Sequence, residues 1–140
     1  MRIIIFDIVG GVDMAKTSVH FVLKGKSSYR DLAPVFGNLL NTALETVDQV
    51  LEEEDMEMVV RINLDDLEKD KKPEGYLRKA RIRMVFPMDR KEFYFQSYSS
   101  KLVDLALIAN RTKAILDAAG ITYDYSEDDA VTFDINPKKR

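Results

Sequence analysis

Two short runs carry the residues best suited to chemistry. From 78 to 86, Lys79, Arg81 and Arg83 alternate with Ala80, Ile82, Met84 and Phe86; from 92 to 98, Tyr94, Gln96 and Tyr98 alternate with Phe93 and Phe95. Successive side chains of an extended chain point to opposite faces, so the apolar set turns toward a core while the cations, phenols and amide turn away from it. An arginine fork suits phosphate or carboxylate, and a tyrosine ring stacks on a base or a guanidinium. The same two residue types anchor protein interfaces. Three readings follow: an interface with another subunit or partner, a site for a nucleotide, RNA or other anionic ligand, or a solvated face. In the last, Glu57 or Glu92 would pair with the arginines for only a few tenths of a kcal/mol each.

His20 is the only histidine and sits between Val19 and Phe21 in another alternating run. An imidazole can serve as a general base near neutral pH. No serine or orienting acid is tied to it by a motif, so it is read as a residue of the same polar sheet face. Gly10-Gly11 follows an apolar run but lacks the spaced glycines of a dinucleotide turn and the glycine-lysine-serine or -threonine of a phosphate loop. A hairpin loop is the simpler account. Asp7 at the end of Ile3-Ile4-Ile5-Phe6 suggests a metal-dependent nuclease or other hydrolase built with Asp13, Asp65 or Asp66, but no acid-x-lysine pair lies cleanly on a strand. An enzyme is therefore the third reading, and no cofactor or metal is expected.

Helical and extended segments must position these residues. From Leu32, the apolar positions Val35, Phe36, Leu39, Leu40, Ala43, Leu44, Val47, Val50 and Leu51 form the stripe of an amphipathic helix. Pro34 belongs in its first turn, with Asp31 or Ser28 as N-cap and Glu52, Glu53, Glu54 and Asp55 at its C-terminal end. Carboxylates there oppose the helix dipole. A second helix starts after Ser99 or Ser100 and ends at Gly120, with a wide apolar face that includes Leu107 and Ile108. Strands are expected over Arg2–Val9, Thr17–Lys24, Met56–Leu64, Tyr76–Phe86, Glu92–Tyr98, Ile121–Tyr125 and Ala130–Ile135. On the Met56–Leu64 strand Arg61 faces outward, beside the other candidate residues. Ser126 to Asp129 reads as the turn of a final hairpin.

The fold class that results is α+β. It has a single antiparallel or mostly antiparallel sheet, two amphipathic helices on one face, and the order β-β-α-β-β-β-α-β-β. The chain of 140 residues, 46% of them hydrophobic, reads as one domain over 1–136 with a basic tail, 137–140. Its formal net charge of −3 disfavours duplex nucleic acid, and the absence of cysteine excludes disulfides and thiolate chemistry. No segment suits a membrane span, and a cytoplasmic location is expected. The order from Asp31 onward resembles small ring-forming assembly proteins such as phage tail-completion factors. The expected function is non-catalytic binding or assembly as a homo-oligomer, or with another protein, through Arg61, Lys79, Arg81, Arg83, Tyr94, Gln96, Tyr98 and His20. A nucleotide or anionic ligand on the same face is the alternative.

Overall fold

One antiparallel sheet organises the chain in the computed structural model, which describes residues 16–78, 81–97 and 102–129. The elements are β1 (Lys16–Leu23), α1 (Tyr29–Leu32), a 3-10 turn (Ala33–Val35), α2 (Phe36–Thr46), α3 (Glu53–Glu68), β2 (Ile82–Val85), β3 (Glu92–Ser97), α4 (Leu102–Ala118) and β4 (Tyr123–Asp129). The strands lie in the order β2-β3-β1-β4, every neighbouring pair antiparallel. The α+β class read from the sequence is the observed one. The expected strands Arg2–Val9 and Ala130–Ile135 fall outside the described residues.

The inner face of the sheet is mainly apolar on β1, β2 and β3. Val19, Phe21 and Leu23 of β1, Ile82 and Met84 of β2, and Phe93 and Phe95 of β3 are buried together with Leu32, Phe36, Leu39, Leu40, Leu44, Ile108 and Leu116 of the helices. Phe21 stacks on Phe93 at 5.2 Å between centroids, and Phe93 meets Phe95 edge-on at 5.9 Å. Both are among the preferred aromatic arrangements, and each ring adds a large buried apolar area.

The helix expected from Leu32 to Leu51 is divided. Ser28 is the N-cap of α1, its amide donating to the Asp31 carboxylate at 2.8 Å, and Pro34 lies in the 3-10 turn, where its missing N–H costs little. α2 then ends at Thr46. Asp48 takes a left-handed conformation, φ 56°, and the Gln49 amide returns to the Leu44 carbonyl at 2.8 Å. The chain leaves the core there, with Val50 almost fully exposed.

The acidic run then opens a new helix instead of closing the old one. Glu52 is the N-cap of α3, and Glu53, Glu54 and Asp55 fill its first turn, so the dipole favours the charges that seemed misplaced. Met56–Leu64 is thus helical, not extended. Met58, Val60, Ile62 and Leu64 alternate in sequence, but the buried side chains are Val59, Asn63 and Leu67, at i, i+4 and i+8. Helix formers such as Glu, Met, Leu and Arg dominate the segment, and one packed helical stripe outweighs the alternation. The order that carried the likeness to ring-forming assembly proteins is lost with this strand.

α3 also finishes the sheet's β2 edge. Tyr76 forms an antiparallel bridge with Met84 through two hydrogen bonds of 2.8 and 2.9 Å. On the far side of that bridge the buried Asn63 amide takes the place of a strand neighbour: its Nδ2 donates to the Gly75 carbonyl at 3.1 Å, and its Oδ1 accepts from the Gly75 amide at 2.6 Å. Only glycine fits at 75. Its φ is +81°, and a Cβ would lie 2.3 Å from the Met84 carbonyl oxygen. An edge satisfied in this way is a poor template for adding another strand. At the other edge, Ser126 to Asp129 continue β4 rather than turning, with Ser126 opposite His20 and Asp128 opposite Ser18.

Candidate functional site: the outer face of the sheet

Register determines which side chains share the face turned away from the helices. β2 sets Arg83 opposite Gln96 and Val85 opposite Tyr94; β1 sets Ser18 opposite Gln96, His20 opposite Tyr94 and Val22 opposite Glu92. On its other side β1 meets β4, with Asp128, Ser126 and Asp124 beside Ser18, His20 and Val22. Reading across β2, β3, β1 and β4, one row is Arg83, Gln96, Ser18, Asp128 and the next is Val85, Tyr94, His20, Ser126. Arg83, Tyr94, Gln96 and His20 are therefore brought together as the alternation predicts, each of them half-buried. The His20 and Tyr94 rings lie 4.4 Å apart at 31°.

Two of the expected residues lie elsewhere. Arg61 is exposed on α3, in an open groove of about 550 Å³ with Glu57, Val60, Leu64, Asp65 and Glu68. The cause is the helical conformation of its segment. Arg81 precedes β2 and turns toward the helical side, its Nη1 donating to the Val47 carbonyl at 2.9 Å. It caps the end of α2, where free carbonyls and the dipole attract a cation. Lys79 and Tyr98 fall outside the described residues.

At the centre of the face is an ionic chain that sequence spacing does not reveal. Arg90 Nε donates to Glu92 Oε1 at 2.5 Å, and His20 Nδ1 donates to Glu92 Oε2, also at 2.5 Å. The other imidazole nitrogen, Nε2, lies 2.8 Å from Ser18 Oγ and 3.1 Å from Asp128 Oδ2. Glu92 is 1% exposed and Asp128 48%. Burial pushes the Glu92 carboxyl upward, but the hydrogen bonds and charges of His20 and Arg90 outweigh it and hold the group below its ordinary range. Ser18, Arg90 and Asp128 are the members that the sequence reading missed. Ser18 and His20 share a parity on one strand, which was visible; Asp128 was hidden by being read as a turn.

Serine hydroxyl, imidazole and buried carboxylate in this order have the connectivity of a nucleophilic relay. Such a relay also needs donors for a developing oxyanion. β1 is paired along both sides, by β3 and by β4, so its amides point into the sheet and not toward a substrate. Ser18 is itself buried, at 4%. The arrangement ties three strands together; it does not present a nucleophile. Among the described residues no cluster of three or more histidines and acids is arranged to hold a metal ion, and no helix is long and apolar enough to cross a membrane.

No protein-family model matches the chain. No curated protein and no solved structure matches it either.

Proposed function

We propose that this domain works by binding rather than catalysis, as an assembly module that associates through the outer face of its sheet. The observation that supports this reading is the placement of Arg83, Gln96, Tyr94 and His20 side by side on a sheet whose described helices pack their buried side chains with the opposite face. Arginine and tyrosine are the residues that most often anchor protein contacts, because they bring large area and directed hydrogen bonds at low entropic cost. The central polar chain holds its members in place before any partner arrives, which lowers the cost of association.

Light scattering tests the reading: the mass in solution should exceed one chain, and Tyr94→Ala should lower it. A monodisperse monomer at every concentration would count against the proposal.

A nucleotide or other anionic ligand is the second reading, motivated by Arg83 beside Tyr94 and Gln96. The internal pairing of Arg90 with Glu92 works against it, since that cation is already neutralised. Under that reading mono- and oligonucleotides should raise the melting temperature, with a gain that fades in salt and disappears in Arg83→Ala.

A further inference from the structure

Among the described residues six large apolar side chains are exposed, and three of them, Met58, Ile62 and Leu77, line a single groove. Met58 and Ile62 are each 45% exposed and Leu77 47%. The groove runs between α3 and the segment that leads into β2, with Glu74 and Arg78 on its walls and the buried Val59, Gly75 and Tyr76 beneath. It shares no residue with the polar face of the sheet. We infer that this groove docks a cationic amphipathic helix of another protein, held by apolar anchors on Met58, Ile62 and Leu77 and by lysines or arginines beside them.

The floor of the groove decides the form of the occupant. Both backbone groups of Gly75 are bonded to the Asn63 amide, and both of Tyr76 to Met84. No free ladder remains at these two residues for an extended peptide, so recognition falls to side chains, as when a helix lies in an apolar groove. Met58 and Ile62 are one turn apart on α3 and present a stripe that such a helix matches with its own i, i+4 pair. At about 280 Å³ the open groove is below the roughly 300–1,000 Å³ of pockets that enclose a small molecule, but it can seat anchor side chains. The same backbone bonds fix the floor before binding, which lowers the cost of association.

Charge decides the chemistry of the occupant. α3 carries seven carboxylates against one arginine, more negative charge than the whole chain's net −3, so the remainder of the chain is net positive. The apolar stripe has acids at both ends: Glu54 and Asp55 one turn before Met58, and Asp65 and Asp66 one turn after Ile62. Those at the start of the helix complement its dipole, but Asp65, Asp66 and Glu68 near its end oppose it. Lys69 answers Asp65 at 3.3 Å, whereas Glu54, Glu74 and Asp66 have no ion pair among the described residues. The cation on the stripe, Arg61, has Glu57 and Asp65 four residues to either side, all three along the neighbouring groove. A second copy of α3 laid on this stripe in either direction sets acid against acid, and an anionic membrane or a nucleic acid is repelled as well. A basic helix meets attraction at both ends.

The probe is a labelled helical peptide of leucine and lysine alone, about 15 residues long, with its leucines on one face, followed by fluorescence anisotropy. It should bind saturably, and less tightly as salt is added. Ile62→Ser, which removes an exposed anchor, should weaken binding about tenfold, and Glu74→Lys should weaken it severalfold. Leu107→Ser, an exposed apolar residue outside the groove, should bind as wild type does. Circular dichroism and melting verify the fold of each variant. Equal binding of a peptide of the same composition with leucines scattered around the helix would mean attraction by charge alone and overturn the proposal. So would the absence of binding, or binding that Ile62→Ser and Glu74→Lys leave unchanged. If Ile62→Ser instead lowers the mass of the peptide-free protein in light scattering, the occupant is a second copy and not a basic partner. Tighter peptide binding after deletion of residues 137–140 would assign the groove to the chain's own basic end.

Discussion

The two faces of this sheet are held by different physics. On the inner face, Phe21, Phe93, Phe95, Ile82 and Met84 are fully buried and gain their stability from area removed from water, which is non-directional and insensitive to pH. On the outer face, directly behind them, Arg90, Glu92, His20, Ser18 and Asp128 form a chain whose worth depends on each partner being present and correctly charged. The inner face determines whether the domain folds. The outer face determines what the folded domain can meet, and can be altered with less loss of stability.

The largest expected effect falls on the inner face. Phe93→Ala removes a ring packed against Phe21, Phe86 and Phe95, and should cost about 3–5 kcal/mol of unfolding free energy in a denaturant titration. Tyr94→Ala, one residue along and facing the other way, should cost far less. Equal losses at the two positions would remove the distinction between the faces.

That distinction was legible in the sequence where one strand period and one burial pattern coincide. The alternation from Ile82 to Phe86 and from Phe93 to Ser97 predicts which side chains turn inward, and the structure agrees at Ile82, Met84, Phe86, Phe93 and Phe95. Period alone does not say which strands are neighbours. His20 and Glu92 are 72 residues apart and meet because β1 inserts between β3 and β4, which local spacing does not encode. Nor does it separate helix from strand in a short apolar segment, as Met56–Leu64 shows. Arg61 was lost from the site for that reason, and Arg81 because a long side chain before β2 can reach the end of α2.

On the outer face the keystone is Glu92. Glu92→Gln keeps the shape but leaves His20 and Arg90 without their shared anion. Because Arg90 is 62% exposed and water can replace part of its loss, the cost should be about 1–3 kcal/mol, less than for the core ring. The dependence on pH separates this from a packing effect. A carboxyl held below its ordinary range contributes stability that is fully present above that range and is lost as the pH falls through its lowered value. The gap between wild type and Glu92→Gln should therefore be widest near neutrality and close in acid. For Phe93→Ala the gap should not follow that titration.

The smallest effect lies at the margin of the inner face, where β4 replaces phenylalanine with tyrosine. Tyr123 packs near Phe21 at 5.7 Å and also donates to Asp117 at 3.0 Å; partial burial and that carboxylate push its phenol up to about 12. A group whose folded value is raised contributes stability that is complete below its unfolded value, near 10, and is lost as the pH rises toward the folded one. Tyr123→Phe keeps the ring and removes the titration. Wild type should lose stability relative to this variant in alkali, modestly because the hydrogen bond is exposed and screened. If the two chains lose stability in parallel above pH 10, the carboxylate contact contributes nothing measurable and β4 is held to the inner face by ring packing alone.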